Sequence, residues 1–326
     1  MNDPIGDLVR AAKPGTVRRT SPLSSKAVGE LAEYRAAEQA LGNTTVGQVR
    51  ALRRRNPWSW GIGSMVAAAV ALLIVVTVVN LPRPAFAATP PMLDAVPMTE
   101  SSSSLLNEMA AMRTGSTKLP TTLTTHSWAL NSEIGDDGQI IESNTEPERI
   151  QTVFALDGSV HVTIVAAEPF PGQKHEGLVA PGTLLAEDVY APGEYGLSVD
   201  DGPPNTSAKV GQYLIDFSGN SSLTASQTIR EIGNVATSLP LSPGQEAALL
   251  EHLASVDGIT VVGEVTDRLG RHGIAFSGDD GDYRQMLIVS PDNGALLAIE
   301  TVYTGQDRSD ITSPAVVYYG AWENQH

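Results

Sequence analysis

The stretch "HEGLV" at 175–179 opens like the helix of a zinc metalloprotease, whose two histidines four residues apart clamp the metal while the glutamate serves as base. Val179 stands where the second histidine is needed, and Pro169, Pro171 and Gly177 oppose a helix there, so one His and one Glu are left without a metal to hold. Acidic pairs recur next to glycine at Asp136-Asp137-Gly138, Asp200-Asp201-Gly202 and Asp279-Asp280-Gly281, the last extended by Asp282. Oxygen-rich loops of this kind can bind calcium, but none has ligands at alternating positions followed by a distal bidentate glutamate. Asp-Gly is also a common turn signal, and the turn reading is preferred. His126, His161, His175, His252, His272 and His326 are scattered over expected strands, loops, a helix and the terminus. No nucleophile elbow, S-x-x-K set or glycine-rich phosphate loop occurs. The sequence therefore nominates no catalytic, cofactor-binding or metal-ligating residue, and the expectation is a protein that is not an enzyme and needs no cofactor.

There are no cysteines among the 326 residues, which excludes disulfides, thiolate zinc sites, a cysteine nucleophile and a lipidated-cysteine anchor. The net charge of −16 is unevenly spread. Residues 1–57 carry ten Lys/Arg against five Asp/Glu, whereas residues 82–326 carry eleven against thirty-two. The uniformly acidic C-terminal portion argues against nucleic acid or anionic headgroups as its main partner.

Between these portions, Asn56 to Pro82 contains no charge. Trp58–Leu81 is 24 residues long, about 36 Å as a helix and enough for a bilayer core. Arg53-Arg54-Arg55 flank its N-terminal end, and Trp58 and Trp60 stand at interfacial height. The sequence predicts one membrane-spanning helix over 58–81 in contact with lipid, with the N-terminus cytoplasmic and the C-terminus extracytoplasmic. Ala85-Phe86-Ala87 has the form of a signal-peptidase site, but a 57-residue leader and a long apolar core favour an uncleaved anchor over a cut after Ala87.

The cytoplasmic tail, 1–57, reads as mobile to residue 24. A short helix then runs through "KAVGELAEYRAAEQAL" to Gly42, and a capping-box pattern follows at Thr45 and Gln48. Such a tail either docks a cytoplasmic protein or, the commoner case, is a solvated juxtamembrane helix whose arginines set topology. Without His or Cys ligands it excludes the zinc-binding helical module of many anti-sigma factors. Residues 82–104 form a Pro/Ser-rich outer linker, expected to be an extended and weakly structured spacer.

The outer domain, 105–326, reads as α+β. "SLLNEMAAMRTG" is a short amphipathic helix capped by Ser104. "THSWAL" is a strand, "RIQTVFALDGSVHVTIVAAE" a hairpin about Asp157-Gly158, and "VGQYLIDF" a further strand. Helices follow at "ASQTIREIGNVATSL" and "SPGQEAALLEHLASV", the second marked by Ser242, Pro243 and Gln245. The chain closes with the strands "GITVVGEVTD", "HGIAFSG", "YRQMLIVS", "ALLAIETVY" and "AVVYYGAW". The layout predicts a curved antiparallel sheet with helices collected on one face.

The stretch "LPLSPGQEAALLEHLASVDGITVVGEVTDRLGRHGIAFS…MLIVSPDNGALLAIET" and the "AATPPML" after the apolar run resemble a family of actinobacterial single-span membrane proteins of unassigned function. These are often encoded beside extracytoplasmic-function sigma factors. The layout is also similar to the half-barrels of LolA, LppX and the RseB/MucB stress regulators, in which a curved sheet wraps helices around an apolar cavity. The first resemblance implies an extracytoplasmic sensing domain that regulates a cytoplasmic partner such as a sigma factor. The second implies an anchored module for a lipid or apolar ligand, without a signalling role.

Overall fold

A computed structural model describes residues 87–323, apart from short segments at 114–118, 135–139, 171–172, 174–177, 197–201, 307 and 309. Residues 1–57, expected from the sequence to be a cytoplasmic tail, and the expected span at 58–81 lie outside the described residues, as do His175, His326, Asp136-Asp137-Gly138, Asp200 and Asp201. Among the described residues no helix is long and apolar enough to cross a membrane.

The described residues fold as α+β, with four helices on a curved sheet of nine antiparallel strands in the order β4-β3-β2-β1-β9-β8-β7-β6-β5. A first meander comprises β1 (Thr122–Ile134), β2 (Ile140–Phe154), β3 (Val160–Ala166) and β4 (Leu184–Tyr190). A second comprises β5 (Thr260–Thr266), β6 (His272–Asp280), β7 (Tyr283–Val289), β8 (Leu296–Tyr303) and β9 (Ala315–Trp322). The two join where β9 pairs with β1, Trp128 opposite Tyr319. The β2–β3 hairpin turns at Asp157-Gly158, where Gly158 has φ +84°, a conformation that costs glycine little.

Helix α1 (Ser102–Met112) precedes the sheet; α2 (Ser207–Ser218), α3 (Ala225–Ser238) and α4 (Pro243–Ala254) separate the meanders. The helix α1 begins earlier than its apolar face suggests, because Ser101 is the cap and accepts from the Ser104 N–H at 3.2 Å. Both α3 and α4 carry complete capping boxes, Thr224 with Gln227 and Ser242 with Gln245.

The stretch "VGQYLIDF" is helical, not a strand. Its apolar residues Val210, Tyr213, Leu214 and Phe217 follow the spacing of a helix face, with Gln212 and Asp216 exposed. On the helix those two meet at 2.8 Å, and Gly219 ends it with φ +72°.

The core lies between the helices and one face of the sheet, here the helix face. Ile229, Ile232 and Val235 of α3 and Leu249, Leu250 and Leu253 of α4 are fully buried with Phe276, Leu287 and Val289. Gly233 permits the close approach of α3, since a Cβ there would lie 2.1 Å from Ile299 Cδ1. Glu246 of α4 ties three elements together: it receives Arg113 Nε and Nη2 at 3.0 and 2.8 Å and the Leu296 N–H of β8 at 3.0 Å.

Candidate functional site: the two faces of the sheet

The opposite face of the sheet, the back face, holds a second apolar layer of Val265, Ala275, Ile288, Leu297, Ala298 and Tyr319, with Leu93, Ala95 and Trp128 packed on it. Leu93 and Ala95 belong to the stretch read from sequence as an extended, weakly structured spacer. Residues 87–98 are extended, and they are bonded to the sheet along their length. The Ala87 N–H donates to the Asp310 carbonyl at 2.8 Å, and Thr145 Oγ1 of β2 donates to the Ala88 carbonyl at 3.2 Å. Arg268 Nη2 donates to the Pro91 carbonyl at 2.8 Å. Val96 exchanges both backbone hydrogen bonds with Glu264 of β5 at 2.9 Å. The segment is a strap running from β2 to β5 across the back face. The chain then rounds the β5 edge, where Ser102 Oγ donates to the Ile259 carbonyl at 2.8 Å and Met98 joins the helix-face core.

Beneath the strap lies a buried ionic and aromatic cluster. Arg268 reaches Glu300 through Nε at 3.0 Å and Nη2 at 2.6 Å. Its guanidinium lies 5.4 and 5.3 Å from the ring centres of Trp128 and Tyr319, which stack on each other at 5.1 Å, and Phe170 meets Trp128 edge-on at 5.6 Å. Glu300 is 0% exposed, and its Oε1 has no partner among the described residues. Burial pushes its carboxyl well above the usual range, against the pull of Arg268. Burial likewise raises the Tyr319 phenol, which accepts the Arg268 N–H at 3.1 Å.

The strap's first residue is held by a polar knot at the other side of the sheet. Asp310 receives Ser143 Oγ and both Nε and Nη2 of Arg308, the latter two at 3.0 and 2.7 Å. Burial works to raise the Asp310 carboxyl, but these donors hold it below the ordinary carboxylate range.

On the helix face, α3 lies over β6–β9. The first meander turns another surface to the same side. Strand alternation and register place Thr125 and Ser127 of β1, Glu148, Ile150, Thr152 and Phe154 of β2, and Val160, Val162, Ile164 and Ala166 of β3 there. Tyr195 meets Phe154 and Tyr190 edge-on at 5.9 and 5.3 Å and donates to the Ser238 carbonyl at the end of α3 at 3.4 Å. An apolar stripe flanked by a few hydroxyls and one buried carboxylate has the composition of a small-molecule site. A separate cavity of about 190 Å³ is polar, lined by Arg271, His272, Ser290, Asp292, Asn293, Ala295 and Leu297. The Arg271 guanidinium beside it is already committed to Asp267 and to the Leu297 and Trp322 carbonyls.

The described histidines sit apart, each in its own setting. His126 meets Glu323 at 2.8 Å, His161 meets Glu187 at 2.9 Å, His272 lies 3.8 Å from Glu264, and His252 is half-buried, its ring against Gly211. Asp279 and Asp280 end β6 and Gly281-Asp282 makes the turn to β7, with Gly281 at φ +56° and Asp279 paired to Arg284 at 2.8 Å. No group of three acidic, His or Cys side chains able to hold a metal occurs among the described residues. Sequence reasoning passed over the Arg268–Glu300 pair; its one trace is the lone Glu in the apolar run "ALLAIETVY".

No family model matches the chain, and no curated protein matches it. Among solved structures it is similar to MucB in complex with MucA(peri), at 13% identity over 68% of this chain and 53% of that one, TM-score 0.27. The chain thus spans about half of the MucB chain. It is also similar to an outer membrane lipoprotein-sorting protein domain from Vibrio parahaemolyticus, at 10% identity over 68% and 90% of the two chains, TM-score 0.19. The dehydratase domain from the CurF module of Curacin polyketide synthase overlaps at 12% identity over 62% and 81%, TM-score 0.10. At these TM-scores the overlaps assign neither a ligand nor a partner to this chain.

Proposed function

We propose that the chain is a single-pass membrane protein whose extracytoplasmic domain is a non-catalytic sensing and binding module, and whose tail, 1–57, regulates a cytoplasmic partner such as a sigma factor. The observation that supports this reading is the strap. Residues 87–98 begin six residues after the end of the apolar run and are bonded to β2, to Arg268 and to β5. A free spacer would isolate the domain from the span, whereas a strap transmits a rearrangement of the sheet to it. The test is recovery of bound proteins with the intact chain and with a variant lacking residues 1–57. A sigma factor recovered only with the intact chain is the expected result. Equal recovery with both, or recovery of lipid alone, refutes the regulatory reading.

A second reading, an anchored module for a lipid or apolar ligand, is favoured by the apolar stripe of Val160, Val162, Ile164 and Ala166 on the helix-face side of β3. Here the intact chain purifies with bound acyl lipid, detected by mass spectrometry of an organic extract. Val162→Asp, with folding checked by circular dichroism, then loses that lipid. Lipid retained at the wild-type level removes this reading.

A further inference from the structure

The chain treats the two ends of its sheet differently. At the β5 end, the backbone pairing of Val96 with Glu264 covers the outer edge, beside a bulge between Val261 and Gly263. At the β4 end no strand pairs with the outer edge among the described residues. There Leu184, Leu185 and Val189 are 55%, 39% and 73% exposed. Register places Val189 beside His161 and His161 beside the exposed Val153, so apolar surface continues onto β2. Native proteins protect edge strands with charged side chains, lysine above all, or with proline, a bulge or a cover, because an open edge recruits an extended chain of fitting charge. Within β4 there is no lysine or proline, and its register shift touches only the Leu184 end. The middle of the strand holds Glu187 and Asp188, one on each face, both exposed.

We infer that the outer edge of β4 is a docking site for an extended segment of a partner protein, added as a tenth strand, with basic side chains at its centre and apolar ones on either side. Backbone pairing supplies the affinity and the alternating side chains the selectivity. Charge decides between occupants. A second copy pairing antiparallel about a two-fold axis through the middle of β4 would set Glu187 and Asp188 against the same acids, which is unfavourable. A basic strand meets opposite charge at those positions and is drawn in by the acidic balance of residues 82–326. The inference stands whether or not residues 58–81 span a membrane.

The test uses the full chain and two libraries of synthetic seven-residue peptides. One has Lys or Arg fixed at the two central positions and Val, Ile, Leu or Thr elsewhere; the other has Glu at the centre. In the expected result, members of the basic library slow amide exchange across 184–190 at least tenfold. The double variant Glu187→Lys, Asp188→Lys, both exposed and so compatible with folding, binds those peptides at least tenfold more weakly and takes up the Glu-centred ones. Equal binding to both forms, protection elsewhere, or no protection of β4 by any member overturns the inference. Because the chain has no cysteine, Val189→Cys adds a second readout. A disulfide between copies in dilute solution would make the occupant this chain itself and also overturn it.

Discussion

Removing one partner of the Arg268–Glu300 pair leaves the other buried and charged. Replacing such a pair with apolar residues can be neutral, but truncating one side is costly, because burial has already stripped the remaining ion of water. Arg268→Ala is therefore expected to cost about 3–5 kcal/mol in urea denaturation. Glu300→Gln should cost less, since its raised carboxyl pKa means that ionisation works against folding. Asp310 has the opposite sign. Its folded pKa lies below the unfolded value, so its stabilisation is complete above the unfolded pKa and is lost as pH falls through the folded one. Denaturation curves measured from pH 7 down to pH 3 should lose stability on the acid side, and Asp310→Asn should flatten that limb. An unchanged acid limb in the variant would remove Asp310 as the cause.

At the scale of elements, the strap depends on Gly263. This residue has φ +141°, and a Cβ there would stand 2.2 Å from the Val96 carbonyl oxygen, a backbone atom with nowhere to retreat. Gly263→Ala thus combines an unfavourable backbone conformation, about 1–3 kcal/mol, with ejection of the strap from β5. The expected outcome is faster thermolysin cleavage at Met92–Leu93 while the helix-face core keeps its protection from hydrogen exchange. Wild-type cleavage rates would show that the strap does not rely on this contact. The Gly233 approach to Ile299 is different, because the clashing atom is the end of a flexible side chain and can move.

For the molecule as a whole, the topology proposal turns on whether Ala85-Phe86-Ala87 is cut. A C-terminally tagged chain should run near full length in the membrane fraction. A product shorter by about 87 residues in the medium would mean that Ala87, the first bonded residue of the strap, had left with the leader and that the domain began at Ala88. The domain would then have no mechanical link to any tail, and the regulatory reading would fail while the β4 docking edge remained testable.

Local chemistry was legible in the sequence: the capping box at Ser242, the Asp157-Gly158 hairpin, and the strands of the second meander are short-range patterns written in consecutive residues. The α+β class follows from them, because strands and helices so patterned must cover each other's apolar faces. The helix at 207–218 was legible too, by its 210-213-214-217 spacing, and was lost to the β-propensity of Val, Tyr, Ile and Phe. The strand β4, "LLAEDVY", has little alternation and low propensity, and only pairing with β3 makes it one. The strap and the Arg268–Glu300 cluster belong to tertiary structure alone. Pro91 and Arg268 are 177 positions apart, and a Pro-rich run reads as spacer until a sheet with a bare back face stands beside it. Composition can specify that such a segment is extended; only the surface it crosses decides whether it is held.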